Sequence, residues 1–187
     1  PIQLRNGTIY CPSSSEHDGW RVHFETSTDD GKTWNVIGPI HSGKEFASIQ
    51  PSILSHKDGK LQILCRSKQS KVTQSWSNDQ GKTWSPMTAS KLPNPNSGTD
   101  AITLNDGRQL IVYNHSTRRG AFPSGRNILN VAISNDGVKW ERTLILEKAQ
   151  GEYSYPAVIQ AKDSMIHITY TYKRRSIKHV IIDPKKL

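Results

Sequence analysis

The sequence predicts an all-β protein built from repeated four-stranded sheets. The first observation is a short motif that occurs three times, at Ser27–Trp34, Ser77–Trp84 and Ser134–Trp140. Its copies start 50 residues apart (27 to 77) and then 57 residues apart (77 to 134). A period of this length is typical of stacked units such as propeller blades or solenoid repeats. The second observation is that no apolar pattern with a helical period extends over a useful length.

The motif is a turn held together by its own side chains. The first two copies follow Ser-x-Asp-x-Gly-x-Thr-Trp, and the third is one residue shorter and lacks the Thr. Ser and Asp can bond the backbone two residues on, Gly accepts the positive φ of the turn, and Trp packs between neighbouring sheets. We therefore expect Asp29, Asp79 and Asp136 to be structural, and not acids, bases or metal ligands.

A second repeat alternates with the first and has the form of a β-hairpin. Two apolar strands flank a tight turn in Ile2–Cys11, Ser52–Cys65, Ala101–Tyr113 and Ala157–Tyr170. The first three turns contain Asn-Gly or Asp-Gly, which is the strongest short-range hairpin signal. Each unit is thus an inner hairpin, an outer strand, the turn motif and a further outer strand. We predict three to four such blades, and interpret residues 1–187 as one partial propeller domain.

Composition narrows the function classes. The chain has 187 residues and a net charge of +9, with basic clusters at Arg66–Lys71, Arg118–Arg119 and Lys173–Lys178. A basic field attracts anionic partners, but no nucleic-acid-binding motif surrounds these clusters, so we expect no nucleic-acid partner. No apolar run approaches the roughly 20 residues that span a bilayer. Cys11 and Cys65 do not form a disulfide framework and are expected to be small buried residues.

The inner hairpins predict where a functional site lies. If each turn has two residues, Pro51 is opposite Arg66, Asp100 is opposite Tyr113, and Tyr153 is opposite Arg174. The polar groups then gather on the rim away from the turns. The predicted set is Gln50, Arg66, Asn94, Asn96, Asp100, Asn114, His115, Tyr153, Tyr155, Tyr172 and Arg174. Because Arg binds carboxylates in a bidentate fork, this rim suits a sugar that carries a carboxylate.

The turn motif and the hairpins resemble the Asp-box (BNR-repeat) sialidase superfamily, whose fold is a six-bladed β-propeller. The run from Asp58-Gly59 to Arg66 resembles the family strand that carries one arginine of a carboxylate-binding triad. Arg126 stands where a further triad arginine begins the strand before a later Asp-box. Ser154-Tyr155-Pro156 is similar to the segment of the nucleophilic tyrosine. The resemblance therefore implies substrate-binding roles for Arg66 and Arg126 and a catalytic role for Tyr155.

The chain also departs from that family. Gln50 stands where the family has a Glu that pairs with the tyrosine, and an amide cannot take a proton. Glu152 is three residues from Tyr155, so on a regular strand it faces the other way. Asp100 is the carboxylate best placed on the rim to contact sugar hydroxyls or to assist proton transfer. No segment matches the first triad arginine or the acid/base Asp of the family. Residues 92–100 resemble the predicted-neuraminidase branch.

Three hypotheses follow from these residues. The first is an exo-glycosidase that removes a terminal acidic sugar from glycans, of which this chain is a C-terminal portion or which a second chain completes. The second is a propeller that binds acidic glycans without turnover, or a lyase acting on a uronic-acid sugar. The third is a structural repeat protein whose rim contacts another protein. We expect no metal and no cofactor, and a secreted or periplasmic location, because glycan-directed propellers are often secreted.

Overall fold

In the computed structural model the described residues are 1–17, 19–117, 120 and 125–187. Arg118 and Arg119 of the second basic cluster therefore lie outside them. Over these ranges the strands are β1 Ile2–Gln3, β2 Ile9–Ser15, β3 Arg21–Ser27, β4 Asn35–Ile37, β5 Ser48–Ser55, β6 Leu61–Ser67, β7 Lys71–Ser77, β8 Thr88–Pro93, β9 Asp100–Thr103, β10 Gln109–Tyr113, β11 Ile128–Ser134, β12 Glu141–Lys148, β13 Tyr153–Gln160, β14 Ile166–Tyr172 and β15 Ser176–Ile182. A single 3₁₀ turn follows at Pro184–Lys186, and none of the described helical structure is long and apolar enough to cross a membrane.

The strands form antiparallel sheets in sequence order, which is the arrangement of propeller blades. Within the described ranges, blade I contains β1–β4, blade II β5–β8, blade III β9–β12 and blade IV β13–β15. The first strands of blades II, III and IV pack side by side, so they are the inner strands. The predicted all-β propeller is confirmed, with three four-stranded blades and one of three strands in the part of the chain described.

The hairpin turns correct the predicted register. His56 N donates to Lys60 O, and Gly59 N donates to His56 O, with Gly59 at a φ of +83°. This is a three-residue loop, a type I turn followed by a left-handed glycine, and not the two-residue turn assumed from the sequence. The pairing is therefore shifted by one residue at the turn. Asp100 lies opposite Val112 and not opposite Tyr113.

The repeated motif forms the turn that joins the two outer strands of blades I to III. In blade II, Ser77 Oγ accepts from Gly81 N at 2.8 Å and donates to Asp79 Oδ1 at 2.8 Å. Asp79 also accepts from the hydroxyl and the backbone N–H of Thr83, and these bonds lower its pKa to about 2. Trp84 Nε1 donates to Gly81 O. The carboxylate is thus engaged within the turn, as the motif predicts.

The core lies between the blades. Buried side chains of blades I and II meet around Phe24, those of blades II and III around Ile111, and those of blades III and IV around Tyr170. Cys65 is fully buried and Cys11 is half-buried, and both are free thiols. Packing between blades holds the starts of the inner strands together at one end, where the candidate site lies.

Candidate functional site

The candidate site is built at the end of the propeller where the inner strands begin. Gln50 lies near the start of β5, and Tyr155 lies near the start of β13. Arg66 is the penultimate residue of β6, and Arg126 lies two residues before the start of β11. Asn96 lies in the connection between β8 and β9. These five residues come from blades II, III and IV and are linked by direct contacts.

Two bulges in the inner strands determine how the site is assembled. The pairing of β5 with β6 is interrupted between Ile49 and Ser52, and that of β13 with β14 between Ser154 and Ala157. Gln50 and Tyr155 occupy these interruptions with φ values of 54° and 51°. The left-handed region is uncommon for residues with a side chain. Both side chains are therefore released from the regular alternation of a strand.

Arg66 is held by groups on three sides. Its Nε donates to Asn96 Oδ1 at 2.8 Å, and its Nη1 donates to Gln50 Oε1 at 3.4 Å. Its Cζ lies 5.1 Å from the centre of the Trp20 ring, a cation–π contact that Trp20 also makes with Lys68 Nζ at 4.5 Å. Trp20 was not among the site residues predicted from the sequence. The available signal was that Trp20 is one of the tryptophans that no Asp-box uses.

Arg126 is the most deeply placed charge of the site. Its side chain is 1% exposed. Its Nη1 donates to Glu152 Oε1 at 3.0 Å, and its Nη2 donates to Asn96 O at 3.1 Å. Its Cζ lies 5.4 Å from the centre of the Tyr155 ring. Buried charges are retained where they are paired and hydrogen-bonded, so Glu152 is the partner that permits this arginine to be buried.

Tyr155 presents its phenol to both arginines. The side chain is 46% exposed, and Gly98 lies beneath its ring, where an added Cβ would meet Tyr155 Cδ1 at 3.1 Å. Burial raises the pKa of the Tyr155 phenol, but hydrogen bonds and charge from Arg126 and Arg66 outweigh this effect and leave the pKa below its ordinary value. Two guanidinium groups thus favour the phenolate, which is the nucleophilic form of this side chain.

Glu152 joins the site, although its sequence spacing predicts that it faces away. The bulge at Tyr155 breaks the alternation of β13, and Glu152, which precedes this strand, accepts from Arg126 on one side and Arg174 on the other. Arg174 Nε lies 2.6 Å from Glu152 Oε2, and Ser154 Oγ donates to Oε1 at 2.8 Å. Burial raises the pKa of Glu152, but the bonds from Arg174, Ser154 and Arg126 hold it below its usual value. Arg174 is therefore connected to the site by its ion pair with Glu152.

Two predicted rim residues are buried instead. Tyr153 is fully buried in the core between blades III and IV, and its hydroxyl donates to Gln150 O. It is opposite Tyr172 and not opposite Arg174, because of the turn and the bulge. Asn114 is also fully buried, and its Nδ2 donates to Tyr153 O at 2.8 Å. These side chains stabilise the backbone below the site and offer no surface to a ligand.

Asp100 connects the three inner strands. Its Oδ1 accepts from Ser52 Oγ of β5 at 2.9 Å and from Ala101 N of its own strand at 2.9 Å. Its Oδ2 accepts from Val158 N of β13 at 2.8 Å. The side chain was expected to contact a sugar, and it is half-buried. Its oxygens are engaged by groups of the protein, and they position the bulged strands relative to one another.

The site combines preorganised cations with an activated phenol. Guanidinium groups bind carboxylates through paired N–H donors, and Arg66 and Arg126 are both oriented by Asn96, through its side chain and its carbonyl respectively. A groove of about 830 Å³ extends from Tyr155 past Glu152 and Arg174 towards Ile177. Within the described ranges, no three His, Cys, Asp or Glu side chains are grouped in a way that could hold a metal ion.

Comparison with solved structures places the fold among sialidase propellers. The leech intramolecular trans-sialidase, solved with 2,7-anhydro-Neu5Ac, matches with a TM-score of 0.75 and 18% identity over 99% of this chain and 30% of that one. The intramolecular trans-sialidase of Ruminococcus gnavus, solved with oseltamivir carboxylate, matches with a TM-score of 0.77 and 20% identity over 97% of this chain and 41% of that one. Trypanosoma rangeli sialidase matches with a TM-score of 0.74 and 17% identity, over 96% and 30%.

The chain thus spans between 30% and 41% of the length of these three proteins. At this level of identity the likeness shows the fold, and it confirms the expected resemblance to the sialidase propellers. A search of curated proteins found no match. The sequence profile of the BNR repeat-like domain matches residues 1–168, which is most of the chain. The protein belongs to the family of BNR repeat-like domains.

Proposed function

We propose that this chain carries the tyrosine and two of the arginines of a sialidase-like exo-glycosidase that acts on a terminal acidic sugar of a glycan. The observation that carries the proposal is the Tyr155 phenol, which a backbone bulge presents to the guanidinium groups of Arg66 and Arg126. This arrangement supplies a binding group for a carboxylate and a nucleophile beside it, which is what an acidic sugar requires.

Arg66 and Arg126 bind the sugar carboxylate in this proposal. Arg126 is oriented by Glu152 and by the carbonyl of Asn96, and Arg66 by the amide of Asn96 and the ring of Trp20. A guanidinium that is already held in place loses less conformational freedom when the substrate arrives. The preformed contacts therefore favour binding of a planar carboxylate at the accessible side of the half-buried Arg66, with the positive charge of the buried Arg126 behind it.

Tyr155 attacks the anomeric carbon or stabilises positive charge there. A phenol with an ordinary pKa near 10 is a weak nucleophile at neutral pH. The sialidase family has a Glu that assists the tyrosine. This chain has Gln50 at that position, and an amide cannot take a proton. The two arginines lower the pKa of Tyr155 instead. Gln50 Oε1 accepts from Arg66, so its proposed role is to orient that arginine in the substrate-binding site.

In this proposal, none of the site residues of this chain donates the proton to the leaving group. The oxygens of Asp100 are engaged by Ser52, Ala101 and Val158, so we assign Asp100 to positioning the inner strands. A glycosidase also needs a general acid across the scissile bond. In our proposal, this acid and a third arginine come from a further segment or from a second chain that completes the propeller around the same axis.

The test compares two tyrosines in the protein that carries this chain. Tyr155→Phe removes the proposed nucleophile, and Tyr172→Phe removes a phenol from the neighbouring strand β14 as a matched control. We expect Tyr155→Phe to lower kcat for a fluorogenic N-acetylneuraminic acid glycoside by about 10³-fold or more, with binding of free N-acetylneuraminic acid retained. Unchanged hydrolysis in Tyr155→Phe would remove this residue from the mechanism.

A second candidate is a propeller that binds acidic glycans without turnover, which the presence of Gln50 favours. It predicts that the wild-type protein binds N-acetylneuraminic acid, that Arg126→Ala abolishes this binding, and that no glycoside is cleaved. An unsaturated product from a uronic-acid oligosaccharide, followed by its ultraviolet absorbance, would instead identify a lyase. Measuring binding by calorimetry and analysing the products therefore separates the glycosidase, the non-catalytic binding propeller and the lyase.

A further inference from the structure

A second cavity lies at the other end of the propeller, where the hairpin turns and the Asp-boxes are found. It has a volume of about 610 Å³, and its lining includes His56, Asp58, Trp76, Asn78, Asp136 and Val138. β5 runs from the candidate site to this end, and the six steps along the chain from Gln50 to His56 span about 20 Å. Blades II and III form its walls, so residues of two adjacent blades enclose it.

Next to this cavity, blade II departs from the pattern of blade I. In blade I, the Tyr10 phenol crosses to blade II and donates to Gly81 O of its Asp-box at 2.7 Å. In blade II, Gln62 crosses in the same way and donates to Gly137 O at 2.9 Å. Gln62 is smaller than a tyrosine and lies opposite Trp76 in the sheet. Between blades I and II, a phenol ring makes this contact. At the equivalent place between blades II and III, the contact is made by the smaller Gln62, and the indole of Trp76 lies beside it.

Trp76 and His56 form an aromatic wall of this cavity. Their ring centres are 4.9 Å apart and the planes are tilted by 38°. The imidazole is held by Gln62 Oε1 at 3.1 Å, and Gln62 Nε2 in turn donates to Gln74 Oε1 at 2.9 Å. Burial lowers the pKa of His56, so the imidazole is neutral at physiological pH. Both rings are half-buried, which leaves part of the wall open to a ligand.

Charged groups of both signs surround the aromatic wall. Lys57 and Lys60 contribute positive charge, and Asp58 and Asp136 contribute negative charge, with Lys60 Nζ 2.6 Å from Asp58 Oδ2. The amide of Asn78 is exposed at the same rim. Because these four charges balance, the lining itself favours neither an anion nor a cation. It instead offers several donors and acceptors around one apolar surface.

We propose that this cavity is a second carbohydrate-binding site, which takes a neutral hexopyranose with the C–H face of the sugar on the Trp76 ring. A pyranose combines an apolar face with a rim of hydroxyls, which matches the wall and the polar groups of the cavity. The volume lies within the range of about 300–1,000 Å³ for ligand sites. The site differs from the Tyr155 site in its position and in the charge of its ligand, so it does not depend on the function proposed above.

Sugar binding can be measured directly by saturation-transfer NMR. The probes are the methyl glycosides of β-galactose, β-glucose and α-mannose, and N-acetylneuraminic acid serves as the anionic comparison. Trp76→Ala removes the aromatic surface, and Val138→Trp places a large ring at the exposed mouth of the cavity without disturbing the core. Trp34→Ala removes an exposed indole of the first Asp-box, which belongs to blade I and does not line the cavity, and is the matched control.

We expect at least one neutral glycoside to bind. Its Kd should rise about tenfold or more in Trp76→Ala, which removes an aromatic contact surface, and in Val138→Trp, which obstructs the mouth of the cavity, but not in Trp34→Ala. If Trp76→Ala does not fold, Val138→Trp decides the result alone. The proposal is overturned if no neutral glycoside binds, or if Val138→Trp leaves binding unchanged. It is also overturned if these variants weaken the binding of N-acetylneuraminic acid alone, because the cavity would then prefer an anionic sugar and not a neutral one.

Discussion

Replacing Glu152 with glutamine removes the charge that permits Arg126 to be buried. Glu152 is 6% exposed, and the Arg126 side chain is 1% exposed. Glutamine keeps the size of the side chain and one oxygen acceptor, so the change acts on charge more than on packing. We expect Glu152→Gln to lower the free energy of unfolding at neutral pH.

The size of the effect follows from the burial of each partner. Removing one member of a buried ion pair typically costs about 3–5 kcal/mol, because the remaining charge is left uncompensated. The Arg174 side chain is 56% exposed, so its contact with Glu152 is screened by solvent and adds little to this cost. Because the side-chain oxygen of glutamine can still accept a hydrogen bond from Arg126, we expect a loss at the lower end of this range, about 3 kcal/mol. For a chain of this size, that corresponds to a fall in Tm of roughly 6–12 °C.

The pH dependence gives an independent check. The folded-state pKa of Glu152 lies below its usual value of 4.5. A group of this kind contributes stability that is present above its unfolded-state pKa and is lost as the pH falls through its folded-state pKa. Wild type and Glu152→Gln should therefore differ most at neutral pH, and the difference should shrink below pH 4.5, as Glu152 becomes protonated in the wild type.

The assay is chemical denaturation followed by tryptophan fluorescence at neutral and acidic pH. Asp58→Asn is the matched control, because it also removes a carboxylate 2.6 Å from a cation, but both side chains are about half exposed. Its unfolding midpoint should remain close to that of the wild type. A loss below about 1 kcal/mol in Glu152→Gln, the value of a surface pair, would refute the reasoning. A loss that did not vary with pH would refute it equally.

Three further predictions concern single side chains. Tyr10→Phe should lose about 0.5–1.5 kcal/mol of stability in denaturation experiments, because it removes the 2.7 Å hydrogen bond from Tyr10 to the Gly81 carbonyl, which keeps Trp84 Nε1 as a donor. A thiol reagent should modify the half-buried Cys11 in the native protein, and Cys65 only after unfolding, because burial raises the pKa of Cys65 and blocks access. An absorbance titration should show a phenol that ionises below the ordinary pKa of about 10, and this transition should be absent in Tyr155→Phe.

Local patterns were predicted well from the sequence because the contacts that produce them are local. In the Asp-box of blade II, Ser77, Asp79 and Gly81 bond one another within five residues, so the pattern of residue types is sufficient. The period of the boxes then gives the blades. Arg66, Arg126 and Tyr155 were nominated by resemblance, and the structure brings them together at one end of the propeller.

The register and the burial of rim residues could not be predicted in this way. A left-handed residue after a type I turn adds one position to each hairpin loop, and a bulge near the start of β5 and of β13 adds another. Each insertion reverses the face on which later residues lie. Tyr153 was therefore expected on the rim and is buried, whereas Glu152 was expected to face away and pairs with Arg126.

The bulges indicate that side chains, and not only a backbone shape, are required at the candidate site. Gln50, Asn96 and Tyr155 all have φ between 51° and 60°, a region that costs about 1–2 kcal/mol for a residue with a Cβ. Glycine would adopt the same backbone without this cost. Strain of this kind persists where the surrounding structure over-determines it, and it concentrates at functional sites. A regular strand at Tyr155 would continue the alternation of β13, so the strained bulge is what presents the phenol to the two arginines.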